Sequence, residues 1–279
     1  MNNNTNKRLK SFRIFIILFL IISILALTHF SSCSRNSKGI IIAGSTSVQP
    51  FAEVLAEAYM TLHPGIKIDV QGGGSAAGIL ATKSGTTDIG MSSRTLVGDE
   101  TSLWSVEIAE DGLAIVINPD NPIYNLTLEQ VRDIYSGKTN NWSFLGGKKS
   151  EIHVFAREDG SGTRSSFESL VMGKTEIMAG ALVENSNGAI RQLVADDPAA
   201  IGFISLGLVD KTVKAVELNG VTATREHVID GSYGLSRPFL FLTLKEPIGL
   251  VKDFIDFTLS EKGKKIFNDQ GLITTGFNQ

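Results

Sequence analysis

The stretch Ile152-His153-Val154-Phe155-Ala156-Arg157-Glu158-Asp159-Gly160-Ser161-Gly162-Thr163 changes character twice. Ile152–Ala156 is short and mostly apolar, as a buried strand is, and Arg157 ends it. Asp159 to Thr163 are small and polar, and beyond them Phe167, Leu170 and Val171 fall on one face of a helix. Strand, Gly/Ser/Thr loop and helix form a repeating design that occurs twice more upstream. Gly39–Ala43 is a strand, Gly44-Ser45-Thr46-Ser47 the loop, and Phe51, Val54, Leu55, Ala58, Tyr59 and Leu62 a helix face that stops at His63-Pro64-Gly65. Ile66–Val70, Gly72-Gly73-Gly74-Ser75 and a short helix through Ile79 and Leu80 repeat the pattern.

Working outward, Asp88–Met91, Leu113–Ile117, Ile201–Ile204 and Phe239–Thr243 are further strands. Thr127 and Gln130 have capping-box spacing for a helix through Val131, Ile134 and Tyr135 that Gly137 closes. Asn187 is placed to cap another helix, and Pro247 suits the first turn of one through Leu250, Phe254, Ile255 and Leu259. Alternating strands and helices specify an α/β fold with mainly parallel sheets flanked by helices. Two Pro-containing segments, 117–122 and 231–238, are candidate crossings between domains, or ordinary surface loops.

The chemistry sits at the three junctions. A helix N-terminus carries unpaired N–H groups and about half a positive charge, so small residues there make an anion site. One such loop is accounted for by plain capping; three of one kind point to an anion. Arg157 adds charge at the mouth, and its fork suits a tetrahedral oxyanion. Asp159, two residues on, is placed to orient it.

Other chemistries find little support. The net charge of −3 and the lack of a Lys/Arg run beyond the first residues argue against nucleic acid. Gly72–Gly78 lacks the Gly-Lys-Ser/Thr ending of a P-loop, and the Ser161 loop is not a Gly-x-Ser-x-Gly elbow. No metal-ligand spacing is present, and no cofactor is expected.

The N-terminus has the form of a targeting segment. Lys7, Arg8, Lys10 and Arg13 precede an apolar run from Ile14 to Leu27, too short for the ~20 residues of a spanning helix. Cys33, the single cysteine, follows Ser31-Ser32 and resembles the modified cysteine of a bacterial lipobox, with Phe30 standing where an aliphatic residue is usual. Residues 1–32 are therefore expected to be a lipoprotein signal peptide, Cys33 the lipid attachment site and 33–38 a linker. Loss of those four cations and no acid takes the net charge from −3 to −7. An acidic protein that holds an anion must do so through local donors.

The segments Ala43–Pro50, Gly73–Gly78, Asp88–Arg94 and, above all, Arg157–Thr163 resemble the PstS phosphate-binding proteins of bacterial ABC phosphate importers. The resemblance implies a two-lobed periplasmic-binding-protein fold of type II, with the ligand clamped between lobes joined by crossing strands. It implies lobe 1 at 39–117 plus 239–279, lobe 2 at 118–238, and crossings near 117–119 and 236–239. The phosphate ligands it implies are Ser45, Thr46, Ser47, Ser75, Ser93, Arg157, Ser161, Gly162 and Thr163, with Asp159 holding Arg157. Ser93 stands where many relatives carry an acidic residue that accepts the proton of phosphate. The implied protein is a lipid-anchored, extracytoplasmic monomer, not an enzyme, which delivers inorganic phosphate to the importer's membrane subunits. Binding of sulfate, molybdate or tungstate is the alternative on the same architecture, and a secreted phosphatase with Ser161 as nucleophile a more distant one.

Overall fold

The computed structural model describes residues 39–274. The expected signal segment, Cys33 and the linker to residue 38 lie outside the described residues. No helix among the described residues is long and apolar enough to cross a membrane.

The chain opens with β1 (Gly39–Gly44), α1 (Gln49–Leu62), β2 (Lys67–Gly72), α2 (Ser75–Ser84) and β3 (Ile89–Ser92). β1 lies between β2 and β3, parallel to both. Alternate residues of β1, Ile40 and Ile42, face inward onto Phe51, Leu55 and Tyr59 of α1. Each such side chain contributes about 1.5–3 kcal/mol by leaving water. The chain then enters β4 (Trp104–Ile117), the longest strand at 14 residues.

The second half carries β5 (Asn125–Leu126), α3 (Leu128–Tyr135), β6 (His153–Arg157), α4 (Gly162–Phe167), β7 (Leu182–Glu184), α5 (Asn187–Asp196) and β8 (Ala200–Ser205). Thr127 and Gln130 form the expected capping box on α3. After β9 (Lys214–Ala215), β10 (Glu217–Leu218) and α6 (Arg225–Ile229), the strand β11 (Ser236–Thr243) returns to the first lobe. There α7 (Gly249–Leu259) and α8 (Glu261–Asp269) add Phe254, Ile255 and Phe267 to its core.

One sheet threads both lobes in the order β2-β1-β3-β11-β4-β8-β6-β7. β1–β3 are parallel, and β6 is parallel to β7 and β8. The long β4 and the returning β11 run antiparallel to their neighbours. The second-lobe half of β4 is covered on both faces. Leu113, Ile115 and Ile117 pack with the cluster of Tyr135, Phe167 and Phe203, and Ala114 and Val116 pack with Ile190 and Val194 of α5. Phe167 and Phe203 stack at 4.1 Å.

The lobes change over earlier than expected on β4. Ile108 and Ala109 belong to the first core and Leu113 to the second, so the crossing lies at residues 110–112 rather than 117–119. The apolar run Leu113–Ile117 is only the second half of the strand. The first half, from Trp104, alternates polar and apolar residues, as a strand with one wet face does. On the return, Leu235 packs in the second core and Phe239 in the first, so the packing changes over at 236–238.

Candidate functional site

Most of the predicted ligand residues meet where the lobes touch. Gly44–Ser47 and Ser75 come from the first lobe, Ser93 from the end of β3, and Arg157 and Ser161–Thr163 from the loop between β6 and α4. Ser47, Ser75, Ser93, Ser161 and Thr163 are all buried although all are polar, a placement that hydroxyls tolerate only with partners.

Those partners cross the cleft. Ser47 Oγ lies 2.6 Å from Thr163 Oγ1. Arg157 Nη2 donates to Thr46 Oγ1 at 3.0 Å, and Ala76 N donates to Gly160 O at 3.1 Å. Ser166 Oγ donates to Ser93 O at 3.2 Å. The approach is possible because two positions lack a side chain. A Cβ on Gly162 would lie 2.2 Å from Ser75 Oγ and 2.6 Å from Ser93 Oγ. One on Gly74, whose φ is +90°, would lie 3.0 Å from Gly160 O.

Hydroxyl roles differ. Ser45 Oγ accepts the N–H groups of Ser47 and Val48, so it shapes its own turn. Ser161 Oγ caps α4 by accepting Arg164 N. Ser75 Oγ accepts Ser93 N at 3.1 Å and lies 3.4 Å from Ser93 Oγ.

Arg157 is 1% exposed. Its Nε and Nη2 each lie 2.9 Å from an oxygen of Glu158, while Glu184 O and Asn185 O accept further bonds. Nη1 is buried without an acceptor among the described residues. The expectation that Asp159 orients Arg157 is not met. Ser161 N bonds back to Glu158 O, and the turn so closed carries Asp159 to its tip, where its side chain is 93% exposed and pairs with Arg164 at 2.8 Å. Arg164 in turn donates to Arg157 O at 2.9 Å, so Asp159 acts on the loop backbone and not on the guanidinium.

The structure also assembles residues that the sequence reading passed over. Arg237, on β11, stands directly opposite Asp111, on β4, in the antiparallel register. Its Nε and Nη2 donate to Asp111 Oδ2 at 3.1 and 2.9 Å, and Ser205 Oγ donates to Asp111 Oδ1 at 2.7 Å. Burial raises the Asp111 pKa above the ordinary carboxylate range, against the opposing pull of Arg237 and Ser205. Arg237 Nη2 reaches Ser47 Oγ at 3.3 Å, and Asn187 Nδ2 donates to the same oxygen at 2.8 Å. The cap of α5 is Ser186, not Asn187; that leaves the Asn187 amide free to bridge Ser47 and Ser205 N. A cavity of about 410 Å³ opens beside this network, lined by Arg94, Ser166, Arg237 and Pro238 among others. Arg94 is spent on Glu100, at 2.7 and 2.8 Å.

Two lobes around a buried, donor-rich cleft define a substrate-binding protein of the periplasmic type, and the family model described as PBP superfamily domain matches residues 31–262. Among curated relatives, a phosphate-binding protein PstS of Bacillus subtilis is 33% identical over 245 residues, 86% of this chain and 81% of its own length. One from Borreliella burgdorferi is 27% identical and covers 91% and 97%. A crystal structure of a phosphate ABC transporter substrate-binding protein with bound phosphate from Clostridium perfringens is 44% identical. It superposes with a TM-score of 0.83 over 85% of this chain and 100% of that one. The chain belongs to the family of PstS phosphate-binding proteins.

Proposed function

We propose that this chain captures inorganic phosphate in the cleft between its lobes and delivers it to the membrane subunits of an ABC importer. The observation that carries the reading is Arg157 Nη1, a guanidinium nitrogen buried without an acceptor among the described residues, on a side chain whose Nη2 donates to Thr46 Oγ1. A buried cationic donor of this kind calls for an anionic acceptor. Capture proceeds by closure: phosphate meets one lobe, and the other swings in to complete the donor shell. Micromolar binding requires ~8 kcal/mol, and hydrogen bonds to charged groups supply ~1.5–3 kcal/mol each, so several donors suffice after closure. The relatives named above are described as binding proteins, which supports a carrier without turnover.

Discrimination against sulfate rests on accepting the proton that phosphate keeps. The acceptor proposed here is Ser93 Oγ, whose hydroxyl can accept as well as donate. A hydroxyl does not repel a fully deprotonated anion as a carboxylate would, so sulfate exclusion is weaker than in carboxylate-bearing relatives. The sequence around Cys33 supports anchoring by a lipid on the outer side of the cytoplasmic membrane after removal of residues 1–32, with the protein acting as a monomer.

Calorimetric titration of the phosphate-stripped protein with phosphate, then sulfate, molybdate and tungstate, tests the reading. Tight one-to-one phosphate binding with weaker sulfate binding is the expected result. Heat from another oxyanion and none from phosphate would transfer the assignment to that ligand.

A further inference from the structure

Arg157 and Arg237 are used alike. Each lays its Nε/Nη2 side against a carboxylate, Glu158 or Asp111. Each then turns Nη2 toward a hydroxyl of one loop, Thr46 Oγ1 or Ser47 Oγ. In a planar guanidinium the outer N–H of Nη1 runs parallel to that of Nη2. Each arginine therefore holds a further donor beside its hydroxyl, and both Nη1 atoms are buried without an acceptor among the described residues. Thr46 and Ser47 are consecutive, so the two unspent donors converge on one short loop, from the second lobe and from the hinge strand β11.

Ser47 adds a constraint of valence. Its oxygen accepts from Arg237 Nη2 and Asn187 Nδ2, which fills both lone pairs. Its proton can only be given away, to Thr163 Oγ1 or to a ligand. We propose, resting on the phosphate reading above, that Arg237 is a second arginine ligand of the captured oxyanion and that it fixes Ser47 as a donor to it.

Asp111 offsets the charge of Arg237, so this arginine contributes direction and a donor more than net charge. Burial holds the Arg237 guanidinium below its ordinary pKa, and the charge of Arg157 adds to the push while Asp111 opposes it. An anion between the two guanidiniums relieves that repulsion. The shell then has three origins, first lobe, second lobe and hinge, so closure and ligation are one event.

The test compares Arg237→Lys with the unmodified protein by phosphate titration and by melting without phosphate. Lysine retains a cation for Asp111 but has no second, parallel donor. Phosphate affinity should fall by about 10- to 150-fold, the worth of one hydrogen bond to a charged group, while melting stays near that of the parent. Parental affinity in a folded Arg237→Lys protein overturns the inference and leaves the phosphate reading intact. No phosphate binding by the unmodified protein sinks both. Should the variant fold poorly, arginine-labelled unmodified protein is followed by nitrogen-15 NMR during phosphate addition. Responses from both buried guanidiniums support the inference, and one confined to Arg157 refutes it.

Discussion

Arg157 and Arg237 each turn Nη2 toward a hydroxyl of the same loop, but their counter-charges differ in kind. Arg157 is balanced by Glu158, its neighbour in sequence, whose side chain keeps 29% exposure. Arg237 is balanced by Asp111, 126 positions away and 1% exposed. A local, half-wet partner lets an arginine be presented to the cleft without committing the fold to it. A remote, dry partner ties the arginine to the pairing of the two hinge strands, so the same chemistry becomes part of the architecture.

The sharpest way to break this comparison is to remove each carboxylate. Asp111→Asn leaves a buried guanidinium with no counter-charge, and losing one member of a buried pair costs about 3–5 kcal/mol. Glu158→Gln keeps an amide oxygen beside Arg157, which also holds two backbone carbonyls, so a smaller loss of about 1–2 kcal/mol is expected. Denaturant unfolding of both variants decides the point, and equal losses would erase the distinction. Ligand affinity should divide the other way. Arg157→Ala frees a carboxylate that water can solvate, so its cost in stability is that of the void and the lost bonds to Thr46, Glu184 O and Asn185 O, while phosphate affinity drops by about 10- to 150-fold. Titration alongside melting separates the two effects.

The same asymmetry explains what could be read from the sequence. Arg157, Ser161 and Thr163 stand within one short strand–loop–helix segment, where composition and order carry the geometry. Asp159 was misassigned because adjacent acids look interchangeable in sequence, and only the turn from Glu158 to Ser161 decides which one folds back. Asn187 looked like a cap because Ser186 and Asn187 both suit that role. Arg237 and Asp111 depend on the register of two antiparallel strands distant in sequence, which no local pattern encodes. A signal was present nonetheless: Arg237 precedes the apolar run Phe239–Leu242, and Asp111 precedes Leu113–Ile117. A charge at the edge of a buried strand requires a partner.

Closure itself can be probed without touching either arginine. Gly162→Ala would set a methyl group 2.2 Å from Ser75 Oγ, and such overpacking typically costs 1–3 kcal/mol. Because the clash exists only when the lobes meet, the expected loss is about 5- to 150-fold in phosphate affinity, with unliganded stability nearly unchanged. Titration and melting of this variant would show the opposite pattern if the contact served folding alone.

Arg94 is the control that sharpens the comparison, because its fork is already used. Nη1 and Nη2 lie on the two oxygens of Glu100 at 2.7 and 2.8 Å, and Nη1 also reaches Thr95 O. With both Nη atoms held on Glu100, Arg94→Ala should change phosphate affinity by less than about twofold, even though Arg94 lines the cavity next to Arg237. Its effect belongs to stability and depends on pH. The hydrogen bond from Arg94 is the leading cause that holds Glu100 below the ordinary carboxylate range. A depressed carboxylate stabilises the fold above its unfolded pKa and loses that contribution as pH falls through the folded one. The difference in unfolding free energy between parent and Arg94→Ala should therefore be about 0.5–1 kcal/mol at neutral pH and shrink toward zero below the ordinary carboxylate range. Denaturant melts at neutral and acid pH measure it. A gap that persists in acid would mean that Arg94 acts through Thr95 and packing, and a large loss of phosphate affinity would place a third guanidinium in the site.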